Sequence, residues 1–402
     1  MLRPGTFALT AMLAALTAIG PLTTDMYLPS LPDIAHKLGA STAQVQLTIS
    51  SYLIGFALGQ IVYGPVSDRH GRKPVLIAAV ALYSVATLVC ALSTSIEMLI
   101  VARFVQALGG SGGIVLVRAI VRDLYSGARA GRELSLIGAV MALAPVFAPL
   151  AGGVLQTASG WRSVFVVLFC AGLAGAVIVW PLMPETLKQR AAEPLSLRSM
   201  LDTYRAVARN PAYLAYLGLA STSFAGLFSW ISGSSFVLQY LYGLTPFQFG
   251  AAFAVGSLGY MIGTSYAVRL VMRLGIDRVL GIGCAAMAAG GLGMAGSIAF
   301  GLTSAASVVV PMAVYLGGMG MVLPQSLAGA MTPFPERAGA ASSLLGFVQQ
   351  SASAVCGALV GMLLGQSAWP LVLAVAAMGC ASMLLWILTR GVRARAGKPR
   401  TT

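Results

Sequence analysis

The sequence predicts an all-α membrane protein with twelve transmembrane helices in two six-helix bundles. Two of the three observations behind this prediction are compositional: 58% of the 402 residues are hydrophobic and only 9% are charged. A soluble chain carries roughly 25% charged residues, so this chain could not cover a water-facing surface of its size. A soluble enzyme and a nucleic-acid-binding protein are therefore excluded, despite a net charge of +14. The third observation is that apolar runs of about 20 residues, the length that crosses a bilayer, recur along the chain.

Twelve such runs can be drawn, and we number them spans 1 to 12. Spans 1 to 6 are 6–28, 45–63, 75–93, 98–117, 134–156 and 163–183. Spans 7 to 12 are 212–236, 247–268, 279–300, 304–327, 340–364 and 368–389. Their residues do not alternate between polar and apolar, as the strands of a membrane barrel do, so we expect helices.

The longest polar stretch, 184–211, divides six spans from six. It predicts an N-terminal bundle at 1–183, a cytoplasmic linker at 184–211, a C-terminal bundle at 212–389 and a basic tail at 390–402. The two halves also share a weak echo, because a short basic loop follows span 2 (DRHGRKPVL) and span 8 (RLGIDRVLG). Equivalent loops in two six-helix halves indicate an internal repeat, a common construction among secondary transporters.

The distribution of basic residues predicts the topology. If the N-terminus is cytoplasmic, 21 Lys and Arg residues fall in cytoplasmic segments and only Lys37 and Arg162 in external loops. Basic residues are retained on the cytoplasmic side, so both termini are expected in the cytoplasm. The surplus positive charge then marks the inner face of the membrane protein and not a phosphate-binding surface.

The strongest motif follows span 2, in the sequence GPVSDRHGRKP. Its characteristic positions are Gly64, Asp68, Arg69, Gly71 and Arg72, predicted to form a short cytoplasmic loop. Glycines permit a tight reversal of the chain. Asp68 is expected to lie against a helix end or to pair with an arginine. A basic loop that only sets the topology is the alternative.

Two charges stand out inside the spans, where a charge is costly and indicates function. Asp25 lies about 5 Å from the external end of span 1, and Arg103 lies about 9 Å beyond Glu97 in span 4, so they are expected near one level. A carboxylic acid in a partly dry cavity can bind and release a proton near neutral pH. Asp25 is therefore the predicted proton-coupling acid and Arg103 its partner. A structural helix cap or a fixed arginine partner is the alternative for Asp25.

Span 4 ends in RAIVRDLY, with two arginines and an acid at the cytoplasmic rim. We interpret Arg118, Arg122 and Asp123 as ion-pairing residues of a cytoplasmic gate. Anchorage of the arginines to anionic lipid is the alternative.

Span 5 contains prolines and small residues in the sequence APVFAPLAGG. Pro145, Pro149, Gly152 and Gly153 permit close packing against a neighbouring helix, or a bend. Tight packing without a transport role is the alternative.

Aromatic, methionine and glutamine side chains within the spans are the candidates for a substrate cavity. They are Tyr27, Tyr52, Gln60, Gln106, Met141, Phe224, Phe228, Tyr260, Phe347 and Gln350. Eighteen methionines and an aromatic-rich span 7 suit an adaptable pocket for amphiphiles. Such side chains also pack in cores or face lipid.

Together these motifs resemble those of the major facilitator superfamily. GPVSDRHGRK is similar to its loop signature GxxxD(R/K)xGR(R/K), and RFVQA to its RxxQG motif, with Ala107 in place of the glycine. Span 5 resembles the antiporter motif GxxxxxxxxGPxxGG, with Ala148 before the proline. TDMYLPSLP and RAIVRDLY resemble the bicyclomycin/chloramphenicol (Bcr/CflA) branch of drug:proton antiporters.

The resemblance implies the major facilitator fold and proton-coupled efflux of small amphiphilic drugs, including antibiotics, across the bacterial inner membrane by alternating access. It also implies that the loop after span 2 latches the cytoplasmic side. An exporter or symporter of a small metabolite on the same scaffold is the alternative.

The expected partners are a drug-like substrate, protons and the bilayer, with no nucleic acid, and the chain is expected to be a monomer. No cofactor is expected besides the proton gradient, because the sequence has no GxxxxGK[ST] nucleotide loop and no metal-ligand spacing. The sequence shows no acid–base pair and no activated nucleophile that would indicate an enzyme.

Overall fold

The computed structural model describes residues 6–125, 127–187, 197–302, 304–334 and 337–396, and the regular elements within these ranges are helical. Twelve of the helices there are long and apolar enough to cross a membrane, as the sequence predicts. Linker residues 188–196 and tail residues 397–402 lie outside the described residues. The described part of the chain forms two compact units. Unit 1 runs to Leu187 and includes Leu244–Ala251, and unit 2 contains the remainder.

Unit 1 contains spans 1 to 6. Its helices are α1 (Phe7–Asp25), α2 (Leu31–Lys37), α3 (Thr42–His70), α4 (Arg72–Ala91), α5 (Ile96–Leu124), α6 (Gly127–Ser159) and α7 (Trp161–Leu182). A 3-10 turn at Leu28–Ser30 joins α1 to α2, so span 1 continues as one helical segment to Lys37. The core of the unit is formed by α1, α4, α5 and α7, around Leu13, Leu76, Val117 and Val179.

Spans 7 to 12 are the long helices of unit 2, apart from the first turns of α10. The helices of this half are α8 (Leu197–Ala208), α9 (Pro211–Phe236), α10 (Pro246–Leu274), α11 (Ile276–Ala299), α12 (Ala305–Met331), α13 (Ala338–Leu363), α14 (Trp369–Leu388) and α15 (Arg390–Ala396). A π-helical turn at Val237–Leu241 extends α9.

Several helices are longer than the apolar runs that predict them, because polar residues at their ends continue the helix. Span 2 is predicted at 45–63, whereas α3 runs from Thr42 to His70. Its start is fixed by a capping box in which the Ser41 hydroxyl accepts the Gln44 N–H at 3.2 Å and the Gln44 side chain accepts the Ser41 N–H at 2.9 Å. Reciprocal caps of this kind satisfy backbone donors that the first turn leaves unpaired.

The loop predicted after span 2 is a single residue, which corrects the sequence analysis. Gly64 lies within α3, and Gly71 alone separates α3 from α4. Gly71 has φ +103°, a backbone conformation that glycine adopts at little cost. Gly275, with φ +77°, separates α10 from α11 at the equivalent place in unit 2. The echo seen in the sequence therefore corresponds to the same one-residue reversal in each half.

Candidate functional site

Arg103 of α5 is completely buried, with no exposed surface. Its Nη1 donates to Oε1 of Gln106 at 2.7 Å and to the backbone oxygen of Thr23 at 3.5 Å. Its guanidinium carbon lies 4.3 Å from the ring centroid of Tyr52 and 4.6 Å from that of Tyr27. The faces of aromatic rings attract cations, so the rings of Tyr52 and Tyr27 stabilise the positive charge of the Arg103 guanidinium.

The guanidinium of Arg103 has spare hydrogen-bonding capacity. Its Nε and Nη2 have no hydrogen-bond partner, and no carboxylate in the described ranges lies within 4.0 Å of it. A buried charge without a counter-ion costs several kcal/mol. The site is therefore prepared to accept an anion.

Asp25 is the last residue of α1 and is 5% exposed. Its carboxylate makes neither a hydrogen bond nor an ion pair within the part of the chain that the structure describes. The carbonyl that Arg103 contacts belongs to Thr23, two residues earlier, or about 3 Å along the helix axis. Arg103 thus reaches the turn of α1 that carries Asp25, at the predicted level, without forming an ion pair with it.

Tyr27, Tyr52 and Gln106, which the sequence analysis names as cavity candidates, contact Arg103, and a substrate role for them stays a prediction. All three are buried. The Tyr27 hydroxyl lies 2.9 Å from the Thr48 hydroxyl. Gln106 accepts from Arg103 and donates from Nε2 to the Thr87 hydroxyl at 2.8 Å, which links α5 to α4.

The other predicted cavity residues keep partial exposure, with one exception. The half-buried ones are Gln60 and Met141 in unit 1 and Phe224, Tyr260, Phe347 and Gln350 in unit 2. Phe228 is buried, and its ring centroid lies 5.0 Å from that of Phe224. A substrate role for these residues stays a prediction. Over the same described ranges, no group of His, Cys, Asp or Glu is arranged to hold a metal ion.

The span 5 motif packs α6 against the turn that carries Asp25. α6 runs without a break through Pro145 and Pro149. A Cβ placed on Gly152 would lie 2.8 Å from the carbonyl carbon of Met26, the residue after Asp25, and closer still to the carbonyl oxygen. Gly153 packs as closely on the segment Leu244–Ala251.

A second polar cluster lies where α3, α4 and α5 meet after span 2. Arg72 joins two acids, through Nη1 to Oδ1 of Asp68 at 2.6 Å and through Nε to Oδ2 of Asp123 at 2.9 Å. Asp123 therefore pairs with Arg72 and not with an arginine of its own helix. Three other predicted gate cations, Arg69, Arg118 and Arg122, are exposed and form no ion pair with any residue in the described ranges.

Glu185 completes this cluster and was not predicted from the sequence. Its carboxylate accepts the backbone N–H groups of Arg72 at 2.9 Å and Lys73 at 3.2 Å, and those of Thr186 and Leu187 at 2.8 and 3.0 Å. Gly71 offers no side-chain cap to α4, so Glu185 supplies one from the segment after α7. Partial burial works against ionisation of Glu185, but the four backbone donors outweigh it and the pKa lies below its usual value.

Unit 2 has a polar cluster at the start of α11. Arg393 of α15 is buried, and its guanidinium binds Oδ1 of Asp277 at 2.8 Å and the backbone oxygen of Trp386 at 2.8 Å. The Trp386 indole N–H donates to the backbone oxygen of Asp277 at 3.0 Å. These bonds fasten α15 to the first turn of α11.

Comparison with known proteins identifies the family. Residues 13–356 match the model described as Major Facilitator Superfamily. An uncharacterized MFS-type transporter of Bacillus subtilis, YdgK, is 33% identical over 88% of this chain and 89% of its own length. The bicyclomycin resistance protein homolog of Haemophilus influenzae is 30% identical over 98% of this chain and 99% of its own length. Multidrug resistance protein D of Escherichia coli is 30% identical over 99% of this chain and 100% of its own length.

Solved structures show the same fold at lower identity. A bacterial homolog of the human lysosomal transporter Spinster matches with a TM-score of 0.73 at 17% identity, covering 98% of this chain and 97% of the other. A D-xylose-proton symporter matches with a TM-score of 0.74 at 14% identity, covering 95% and 96%. The chain is thus a multi-pass membrane transporter that belongs to the major facilitator superfamily, in the branch of the bicyclomycin and chloramphenicol resistance proteins.

Proposed function

We propose that this transporter exports small amphiphilic drug-like compounds across the bacterial inner membrane in exchange for protons. The observation that carries the proposal is the likeness, at about 30% identity over nearly the whole chain, to relatives named for bicyclomycin and multidrug resistance. The cytoplasmic placement of both termini rests on the basic residues of the predicted inner loops.

The proton step is assigned to Asp25 and Arg103. A buried carboxylate without a cation partner is most stable when it holds a proton, because the charged form is poorly solvated. Loss of that proton creates an anion next to the turn of α1 that Arg103 already contacts. The two unbonded nitrogens of Arg103 can then bind it, which draws the guanidinium from the rings of Tyr27 and Tyr52.

This exchange of partners supplies a link between protonation and helix position. Movement of Arg103 shifts α5 relative to the last turn of α1. Gly152 holds α6 in direct contact with the same turn, so α6 must follow. Packed helices of this kind respond by shifting between discrete arrangements, which is the motion that alternating access requires.

Transport in proteoliposomes tests the proposal. Vesicles containing the full-length chain are given a pH gradient, and movement of a fluorescent amphiphilic cation and of chloramphenicol is followed. We expect substrate to move against the proton flow and to stop when a protonophore collapses the gradient. Asp25→Asn should abolish gradient-driven transport, whereas Asp33→Asn, which removes an acid paired with Lys37 on α2, should not.

The direction of movement separates the alternatives. Substrate that moves with the protons would show a symporter. Transport that ignores the gradient, or that survives Asp25→Asn undiminished, would remove proton coupling through Asp25.

A further inference from the structure

Arg103 donates to two acceptors, and one turn of α4 contacts the residues that supply both of them. The acceptors are Oε1 of Gln106, on α5, and the backbone oxygen of Thr23, on α1. The turn of α4 is the one that begins at Tyr83 and ends at Thr87, and both of these side chains are buried. The proposed exchange of partners by Arg103 gives this turn no part.

Thr87 fixes the orientation of the Gln106 amide. Nε2 of Gln106 donates to the Thr87 hydroxyl at 2.8 Å. A hydroxyl has one proton to donate, and that of Thr87 goes to the backbone oxygen of Tyr83 at 2.6 Å. Thr87 can therefore only accept from Gln106, so it binds the NH₂ end of the amide and leaves Oε1 facing Arg103. The thiol of Cys90, also on α4, donates to the same Oε1 at 3.9 Å.

Tyr83 fixes the residue that supplies the second acceptor. Its hydroxyl lies 2.7 Å from the hydroxyl of Thr23. The Thr23 hydroxyl donates to the backbone oxygen of Ile19 at 2.6 Å, so Tyr83 is the donor to Thr23. This bond ties α4 to the residue whose backbone oxygen Arg103 contacts, two residues before Asp25. One turn of α4 thus holds both acceptors of the guanidinium.

We infer that Tyr83 and Thr87 are positioning residues for Arg103. Their effect on transport rests on the proposed function. When Asp25 loses its proton and draws the guanidinium away, Thr87 keeps Oε1 of Gln106 aimed at the place to which Arg103 must return. Without Thr87 the amide is free to turn, and its NH₂ end cannot bind an arginine, which has donors only. The return of Arg103 then becomes slower, whereas substrate binding is unchanged.

Infrared spectroscopy of the full-length chain in nanodiscs tests the orientation of Gln106 without transport. The S–H stretching band of Cys90, identified by its loss in Cys90→Ala, reports whether the thiol has an acceptor. We expect Thr87→Val to move this band to its position in Gln106→Met, which lacks the amide oxygen. Thr87→Ser should keep the wild-type band. The matched control is Thr17→Val, which removes another buried hydroxyl from a backbone bond, on α1, and should leave the band unchanged.

Gradient-driven transport in proteoliposomes tests the consequence for function. Thr87→Val and Tyr83→Phe should each lower the maximal rate about tenfold, the effect of one hydrogen bond in a network around a charge. The substrate concentration that gives half the maximal rate should not change, and Thr87→Ser should restore the rate. Tyr213→Phe, which removes a buried hydroxyl bond between α9 and α13, should transport like the wild type. Thr87→Val should unfold at the same temperature as Thr17→Val.

The two measurements separate the inference from the proposed function. An unchanged Cys90 band or an undiminished rate in Thr87→Val would overturn the inference. A loss of rate that Thr87→Ser does not restore would also overturn it, because packing alone would then be at fault. A wild type without proton-coupled transport would refute the proposed function, and the Cys90 band would still decide whether Thr87 orients Gln106.

Discussion

Substitution of Gly152 by alanine tests whether close contact between α6 and the Asp25 turn is needed. A Cβ at this position would lie 2.8 Å from the carbonyl carbon of Met26 and 2.9 Å from its Cα. Ordinary contact between such atoms is roughly 3.5 Å, so α6 and α1 must separate by at least about 0.7 Å. The obstructing atoms, which include the still closer carbonyl oxygen of Met26, are all backbone and cannot rotate away. Overpacking of this kind costs about 1–3 kcal/mol.

Gly138→Ala is the matched control, because it adds the same methyl group to the same helix. A Cβ on Gly138 would meet no atom within 4 Å. Both substitutions gain the same helix propensity, up to about 1 kcal/mol. The difference between the two variants therefore isolates the clash with Met26.

Thermal unfolding in detergent and gradient-driven transport in proteoliposomes are the assays. We expect Gly152→Ala to unfold at a lower temperature than Gly138→Ala and to lose most of its transport, because the separation displaces the turn that carries Asp25. Equal stability and equal transport in the two variants would refute the reasoning. Lower stability with undiminished transport would limit the motif to packing.

Three further predictions concern single contacts. Tyr52→Phe should retain the ring face against the buried guanidinium and lose only the 3.4 Å hydrogen bond from the Tyr52 hydroxyl to the backbone oxygen of Gly20, which costs about 1 kcal/mol. Tyr52→Leu should lose in addition about 2 kcal/mol of cation–π attraction in denaturant or thermal unfolding. Because the pKa of Glu185 is lowered in the folded protein, its cap on α4 stabilises above the usual carboxyl pKa and is lost as pH falls through the lowered value. Glu185→Gln should therefore flatten the acid side of a plot of unfolding temperature against pH. Arg393→Gln should accelerate hydrogen exchange in Arg390–Ala396, whereas Arg390→Gln, at an exposed position, should not.

The number and order of the helices could be predicted because a bilayer sets a length for each apolar run. Helix ends could not be predicted in the same way. Residues 64–70 are polar enough to resemble a loop, yet they continue α3 until Gly71 allows the reversal. The backbone of a polar residue at the membrane interface forms helix hydrogen bonds as well as that of an apolar residue does. Hydropathy therefore indicates where the lipid begins and not where a helix ends.

At the site, the sequence could not predict the direction in which each side chain points. Depth along a helix follows from its rise per residue, and this placed Arg103 beside the turn of Asp25. The direction in which a side chain points around the helix axis can be inferred from sequence only when the helix has an apolar face and a polar face. A membrane helix that is apolar on all sides has no such pattern. The sequence therefore names Tyr27, Tyr52 and Gln106 as cavity candidates but does not reveal that their side chains contact Arg103.

The two halves share an electrostatic feature at the starts of α4 and α11, although different residues supply it. In unit 1, Glu185 reaches from beyond α7 and places its carboxylate on the first N–H groups of α4. In unit 2, the carboxylate of Asp277 belongs to the first turn of α11 itself, and Arg393 reaches it from beyond α14.

The residue that reaches the helix start from the end of the unit is thus an anion, Glu185, in unit 1 and a cation, Arg393, in unit 2. In both units, however, the helix after the one-residue reversal, α4 or α11, begins beside a carboxylate. The N-terminus of a helix carries a partial positive charge and unpaired N–H donors, so an anion stabilises it wherever the anion originates. The negative charge therefore lies at the same place in the two units, although Glu185 supplies it in one and Asp277 in the other. An alignment by residue identity would miss the correspondence, whereas the one-residue reversals at Gly71 and Gly275 place the two starts in register.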